Sequence, residues 1–331
     1  MADRTIAHYN LLEPIGRGAL GEVFRARDTR VGRTVALKLV DPQLAADDTR
    51  RLALLDEARL ASRLSHPAIA TLFEAGEAEG VPYLTYEFAA GVPLRSEMAG
   101  RPLPPRRALE LAIQIADGLA EGHAAGVVHG DLRPDTIVVT AKGNAKLLDF
   151  GMSRWTRGGT IRRTASRSPE SLPPDDVPLV SYLAPEQALG ADCDGRADLF
   201  SLGTLLYEML TGRSPFAAPT GAETVMNVVS ATPQPPSAVN PDVPAELDGV
   251  ILRALSKDLD RRFQSAASFS AALRGVAAKL DVRPTPRGDE YLLPVDDDAD
   301  RVPASVWLIG AGGLAVLALL AWWLASSGVR A

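Results

Sequence analysis

Residues 127–151 read VVHGDLRPDTIVVTAKGNAKLLDFG. Two short apolar runs, Ile137 to Val139 and Ala145 to Leu148, flank the turn-forming Lys142-Gly143-Asn144, the pattern of a β-hairpin. One carboxylate, Asp131, stands just before the hairpin and another, Asp149, just after it, so closing the hairpin brings them to the same end. Two such groups, the second followed by Phe-Gly, suit phosphoryl transfer: one accepts a hydroxyl proton while the other holds a divalent cation on the phosphates. Taken alone, the stretch reads equally as a turn with two solvated aspartates. The rest of the chain decides between them.

Upstream, residues 9–40 alternate in a way that gives strand, glycine loop, strand, turn and strand. Gly16, Gly18 and Gly21, with Val23 following, make GxGxxGxV, and glycines let a backbone approach phosphates with no Cβ in the way. The pattern by itself is weak, since a flexible hairpin gives it too. Here it precedes Val35-Ala36-Leu37-Lys38 at hairpin distance, which puts a strand lysine where it can meet phosphate oxygens. Asp47 to Leu64 then reads as a helix with Leu52, Leu55 and Leu64 on a partly buried face and His66-Pro67 as its stop. It carries Glu57, offered as an ion-pair partner for Lys38. Strands follow around Thr71 to Glu77 and Pro82 to Phe88, and Ala89-Ala90-Gly91 marks a boundary between two lobes. A helix from Pro105 to Ala125 delivers the chain to the hairpin.

Beyond Gly151, the stretch from Met152 to Val180 mixes Arg154, Arg157, Arg162, Arg163 and Arg167 with Thr160, Thr164, Ser166, Ser168 and prolines. It is expected to be a mobile loop whose hydroxyls are candidate phosphorylation sites. Ala184-Pro185-Glu186 and Asp198-Leu199-Phe200-Ser201-Leu202-Gly203 lead into an apolar helix through Leu210, the expected scaffold of the larger lobe. Further helices, separated by proline-rich loops, run to about Leu280.

The chain has 331 residues, 46% hydrophobic and 23% charged, enough for two lobes and an appendage. A formal net charge of −6 and the absence of zinc-like or RNA-binding motifs argue against nucleic acid as a partner. The single cysteine, Cys193, excludes an intramolecular disulfide and fits a reducing compartment. The N-terminus carries no signal-like apolar run, so the body of the protein is expected in the cytoplasm. Residues 281–303 hold seven acidic side chains against three basic ones and read as an acidic, proline-containing juxtamembrane linker. Residues 304–325 include twenty uncharged positions from Val306, about 30 Å of helix and one hydrocarbon thickness, with Trp307, Trp322 and Trp323 near the ends. The expectation is a single-pass cell-membrane anchor followed by a short tail at 326–331, too small for an outer sensor domain. Gly310, Ala311, Gly313 and Ala315 leave self-association of a homodimer through this helix open.

Taken in order, GxGxxGxV at 16–23, VALK at 35–38, Glu57, HGD at 129–131, DFG at 149–151, APE at 184–186, DLFSLG at 198–203 and Arg262 resemble the bacterial members of the eukaryotic-type (Hanks-type) serine/threonine protein kinase family. The resemblance spans residues 9–280. It implies an α+β, two-lobed protein-kinase fold, with a mainly-β N-lobe at 9–88 and a mainly-α C-lobe at 91–280. It also implies that Ile15, Gly16, Gly18 and Gly21 cover ATP, that Lys38 and Glu57 form an ion pair, and that Asp131 is the catalytic base. Asp149 would bind Mg2+ or Mn2+. Backbone groups of Glu87 and Ala89 would bind adenine beside Tyr86, with Val23, Ala36 and Val138 as apolar walls. Glu186 and Arg262 would form a structural ion pair.

Four positions depart from the family pattern. Gly130 replaces an arginine that reads a phosphorylated activation loop, and Arg133 replaces a lysine near the γ-phosphate, keeping charge but changing geometry. Thr136 replaces the metal-binding asparagine with a shorter, less polar oxygen ligand. Leu179 replaces a small hydroxyl residue that would bond to the base. The readings in play are therefore a membrane-anchored signalling kinase acting on an unidentified protein, a pseudokinase serving as a nucleotide-binding membrane scaffold, and, because HGDL also resembles their loop, a small-molecule kinase.

Overall fold

The computed structural model describes residues 4–280 apart from 19, 42–47, 154 and 156. The linker at 281–303, the apolar segment at 304–325 and the tail at 326–331 lie outside the described residues. By its contacts the chain divides into Met1–Thr285 and Pro286–Ala331, and the description concerns the first unit. Among the described residues no helix is long and apolar enough to cross a membrane.

The amino-terminal alternation becomes a sheet of β1 (Thr5–Ile6), β2 (Tyr9–Gly18), β3 (Gly21–Asp28) and β4 (Thr34–Val40), with helix α1 (Asp48–Ala61) preceding β5 (Leu72–Ala78) and β6 (Val81–Glu87). Its order is β1-β2-β3-β4-β6-β5, antiparallel throughout. Period-two alternation assigns the faces. Val35, Leu37 and Leu39 pack with Tyr9, Ala26 and Tyr83 on one side. Ala36 and Val40 pack on the other with Leu54, Leu55 and Ala58 of α1. Lys38 shares parity with Ala36 and Val40, so its side chain belongs to the α1 side, and a one-residue slip of β4 would move it away. Leu55 and Leu64 are buried as expected, whereas Leu52 is exposed.

The larger lobe begins with β7 (Gly91–Pro93), α2 (Leu94–Met98) and α3 (Pro105–Ala124), and the hairpin follows as β8 (Ile137–Thr140) and β9 (Ala145–Leu147). These strands form a small antiparallel sheet, β7-β8-β9. Next come α4 (Arg157–Arg167), α5 (Val177–Val180), α6 (Pro185–Ala188) and α7 (Gly195–Thr211). The fold closes with α8 (Gly221–Ser230), α9 (Pro236–Val239), α10 (Glu246–Ala254) and α11 (Ala266–Lys279). Helix α7 is buried on almost every face, from Ala197 through Leu210, as an all-round apolar sequence requires. It starts at Asp194, whose side chain accepts from the Arg196 N–H, and stops at Gly212 in a left-handed cap. Around α3 and α7 one continuous apolar core forms, and each fully buried leucine contributes about 1.5–3 kcal/mol.

One expectation fails. The stretch from Met152 to Val180 is not a bare loop: it contains the three-turn helix α4 and the single turn α5. Ile161 and Ala165, four residues apart on one face of α4, are buried in the core of the large lobe.

Candidate active site

The hairpin brings both carboxylates into place. Asp131 is buried at 7% exposure, and Asp149 directly follows the hairpin with a φ of +58°, a conformation a non-glycine residue holds only when its surroundings enforce it. Phe150 anchors it from behind, buried against the His129 ring at 5.1 Å in an edge-on contact.

Three backbone groups of the loop before the hairpin are fixed by side chains that arrive from elsewhere. The Asp198 carboxylate, 1% exposed near the start of α7, accepts from the His129 N–H at 2.8 Å and the Gly130 N–H at 2.7 Å. His123 Nε2 lies 2.8 Å from the same carboxylate. Gln187 Nε2 donates to the Gly130 carbonyl at 3.1 Å. Asp198 is thus a positioning residue of the site, which its motif marked only as scaffold. Gly130 has φ +72°, and a Cβ there would meet Ser153 Oγ at 2.5 Å, so the backbone as folded accepts only glycine.

Arg133 reaches back to Asp131: its Nε donates to Asp131 Oδ1 at 3.0 Å and its Nη1 to Asp135 Oδ2 at 2.8 Å. Thr136, expected as a metal ligand, braces the loop. Its hydroxyl accepts from the Arg133 N–H at 3.1 Å and lies within donating distance of the Asp131 carbonyl at 2.9 Å. Leu179 is buried and cannot bond to Asp131, as its side chain dictates. Together with Ile161, Tyr182 and Leu183 it lines a cavity of about 10 Å3 beside Asp131 and Arg133, room for about one water. Ile161 of helix α4 thus shares this cavity with Asp131.

The nucleotide side of the site is assembled by the sheet. Register pairs Gly16 with Val23, Gly18 with Gly21, Val23 with Lys38 and Ala36 with Tyr86. Gly21, at φ +137°, lies so close to the Leu39 carbonyl that a Cβ would come within 1.9 Å of it. No atom lies within 4 Å of where a Cβ of Gly16 would stand, so the loop leaves a side-chain-free space there. Ile15 is 45% exposed on β2. Val138, expected as an opposite wall, pairs with Lys146 across the hairpin and with Pro93 of β7. The Glu87 carboxylate is held by Lys146 Nζ at 2.7 Å, and its N–H donates to the Thr71 carbonyl at 2.8 Å. Ala89 follows at the junction of the lobes.

The Lys38–Glu57 ion pair does not form. Lys38 Nζ pairs with Asp149 Oδ1, and Glu57 Oε2 accepts from Trp155 Nε1 at 2.6 Å. Trp155 is buried among Leu54, Leu55, Ala58 and Met152, wedged against α1 by the chain that leads into α4. The Glu186–Arg262 pair does form, as a fork of 2.7 and 3.2 Å with Arg262 fully buried.

The residues fit a metal–nucleotide pair. Asp149 offers a hard carboxylate oxygen and Lys38 an ammonium that phosphate can claim. The Tyr86 ring lies 5.2 Å from Lys38 Nζ, and its buried hydroxyl has no hydrogen-bond partner among the described residues. Burial raises the Tyr86 hydroxyl well above its ordinary pKa and the Asp149 charge adds to that, so it stays a donor. No cluster of three acidic, histidine or cysteine ligands occurs among the described residues.

A curled antiparallel sheet over a helical lobe, with a strand lysine and two hairpin carboxylates between them, defines the two-lobed kinases as a class. The chain belongs to the protein kinase family: the family described as "Protein kinase domain" matches residues 9–272. It is 39% identical over 283 residues to the probable serine/threonine-protein kinase SCO3848 of Streptomyces coelicolor, covering 83% of this chain and 40% of that one. Against the serine/threonine-protein kinase PknB of Mycolicibacterium smegmatis it is 38% identical over 272 residues, covering 80% and 42%. The chain therefore spans about two fifths of the length of these relatives. A crystal structure of the Mycobacterium tuberculosis PknI kinase domain matches with a TM-score of 0.64 at 29% identity, over 83% of this chain and 98% of that one.

Proposed function

We propose that this chain is an ATP-dependent serine/threonine protein kinase held at a membrane by the apolar segment at 304–325. The observation that carries the reading is the convergence of Asp131, Asp149 and Lys38 at the mouth of one hairpin, within a chain whose relatives are named serine/threonine-protein kinases. Asp131 accepts the proton of the substrate hydroxyl, and Arg133 sets its orientation. Lys38 binds the phosphates after leaving Asp149. Gly16, Gly18 and Gly21 present backbone N–H groups to the phosphates, while Val23, Ala36 and Val138 exclude water around adenine beside Glu87 and Ala89. Mg2+ or Mn2+, held by Asp149, would neutralise charge on the β- and γ-phosphates. The cluster at 281–303 supports an acidic spacer that keeps the catalytic body off an anionic bilayer.

The test is incorporation of labelled phosphate from ATP into the full chain and into casein, with each metal. The expected outcome is incorporation that falls about a hundredfold or more in Asp131→Asn. An unchanged rate in that variant overturns the reading, and nucleotide binding without incorporation would favour the pseudokinase scaffold. Vesicle flotation of the full chain, lost on shortening to residues 1–285, tests the anchor.

A further inference from the structure

Arg95 sits on α2, outside everything the phosphoryl-transfer reading uses, yet it makes the most complete ion pair near the base. Its Nε donates to Asp135 Oδ1 at 2.7 Å and its Nη2 to Asp135 Oδ2 at 2.8 Å, a two-bond fork. Asp135 is the middle residue of the single 3-10 turn Pro134–Thr136, between the catalytic loop and the hairpin. Its Oδ2 accepts a third bond, from Arg133 Nη1, while Arg133 Nε holds Asp131 Oδ1. Four alternating charges thus run from α2 to the base.

Exposure falls along this row. The side chains of Arg95 and Asp135 are 42% and 35% exposed, those of Arg133 and Asp131 12% and 6%. Water screens the outer pair and hardly reaches the inner one, so the position of the Arg133 guanidinium matters most where it is least visible to solvent. Arg133 is divided between two carboxylates. An uncompensated Asp135 would draw it outward, and the Arg95 fork supplies the compensation. Burial pushes the Asp135 carboxyl up, but Arg95, and after it Arg133, outweigh this and hold it below the ordinary range. Arg95 is itself backed by Tyr182 and Glu208, which bond to each other. The Asp135 bond raises the Arg95 guanidinium most, against the opposing effect of burial, and the Glu208 carboxylate adds to it.

We infer that Arg95 is a positioning residue for phosphoryl transfer: by holding Asp135 in a fork, it fixes the Arg133 guanidinium on the catalytic base. The inference rests on the kinase reading, and it gives the arginine at position 133 a reason. A lysine ammonium is a point charge, whereas a guanidinium can bond two carboxylates in fixed directions at once.

The test compares Arg95→Met, Arg95→Lys, Arg95→Met with Asp135→Asn, and Arg95→Met on an Arg133→Met background, all in the full chain with casein as substrate. Arg95→Met should lower kcat about tenfold while KM for ATP stays within about twofold, and Arg95→Lys should fall between it and wild type. Removing the Asp135 charge as well should restore most of the rate. On the Arg133→Met background, Arg95→Met should add no further loss. In 15N-arginine-labelled chain, the Arg133 Nε–H signal, assigned by its disappearance in Arg133→Lys, should exchange with water faster in Arg95→Met. An unchanged kcat in Arg95→Met, or a loss that adds in full to that of Arg133→Met, overturns the inference. If the wild-type chain transfers no phosphate, the kinase reading falls and the exchange rate decides: faster exchange in Arg95→Met upholds the positioning, and equal rates overturn it.

Discussion

Glu57 and Lys38 each have a different partner from the one their spacing suggests. Trp155 donates its ring N–H to Glu57 across 98 positions of sequence, a contact no local pattern announces. A hydrogen bond to a charged group contributes about 1.5–3 kcal/mol, enough to shift a two-state equilibrium tenfold or more. Trp155→Phe keeps most of the apolar bulk and removes the donor. The initial rate of phosphate incorporation, measured on chain not previously phosphorylated, should rise as one of the bonds holding Glu57 away from Lys38 is lost; a rate at or below wild type would exclude this role for Trp155. Sequence alone located Asp131, Asp149 and Lys38, because each is fixed by short-range strand and hairpin patterning. It could not choose between two carboxylates for Lys38, since that choice depends on tertiary contacts. Gly130 adds what the sequence did not show: its φ of +72° favours glycine, and its N–H bonds to Asp198.

The strands expected around Thr71 to Glu77 and Pro82 to Phe88 and the helix from Pro105 to Ala125 emerged within a residue of where period-two and period-3.6 patterns put them. Helix α4 did not. Its sequence, RGGTIRRTASR, sets Gly158-Gly159 and three hydroxyl residues, all poor helix formers, against its helix-compatible arginines, and only Ile161 and Ala165 mark an apolar stripe. Two positions at i and i+4 are too few to read as a helix without the core they fill. Helix α8 carries a different prediction at its carboxyl end. Lys257 Nζ donates to the Val228 carbonyl at 2.5 Å and stands over the Phe216 ring at 3.7 Å. Burial, with the Arg262 charge adding, pushes this amine down to about 7. The unfolded chain keeps the proton to about pH 10, so between those values unfolding takes up a proton and raising the pH favours the folded state. Melting temperature should therefore climb from pH 7 to 9 relative to Lys257→Met, in which this component of the slope is absent. Parallel pH profiles for the two proteins would contradict it.

Across the whole molecule, the loop that bears the base is tied to a helix that is buried on almost every face, and the downstream end of the activation segment is tied to the same helix. Ser201 Oγ donates to the Tyr182 carbonyl at 2.7 Å, and Arg262 joins Glu186 to the carbonyls of Arg196 and Ser256. Arg262→Met would leave a nearly buried carboxylate and two carbonyls without their donor, at a cost of about 3–5 kcal/mol. Urea unfolding should show that loss, and Arg262→Met combined with Glu186→Gln should cost less than the two separate losses together. A midpoint unchanged by Arg262→Met would remove this pair from the framework. The same anchoring has an evolutionary reading. The chain is bound to the scaffold at Tyr182, Glu186 and Arg262, so exposed positions of α4 such as Arg163 and Arg167 can diverge while its buried Ile161 and Ala165 stay fixed. Descendants of this chain have latitude to acquire new triggers there while inheriting the catalytic body intact.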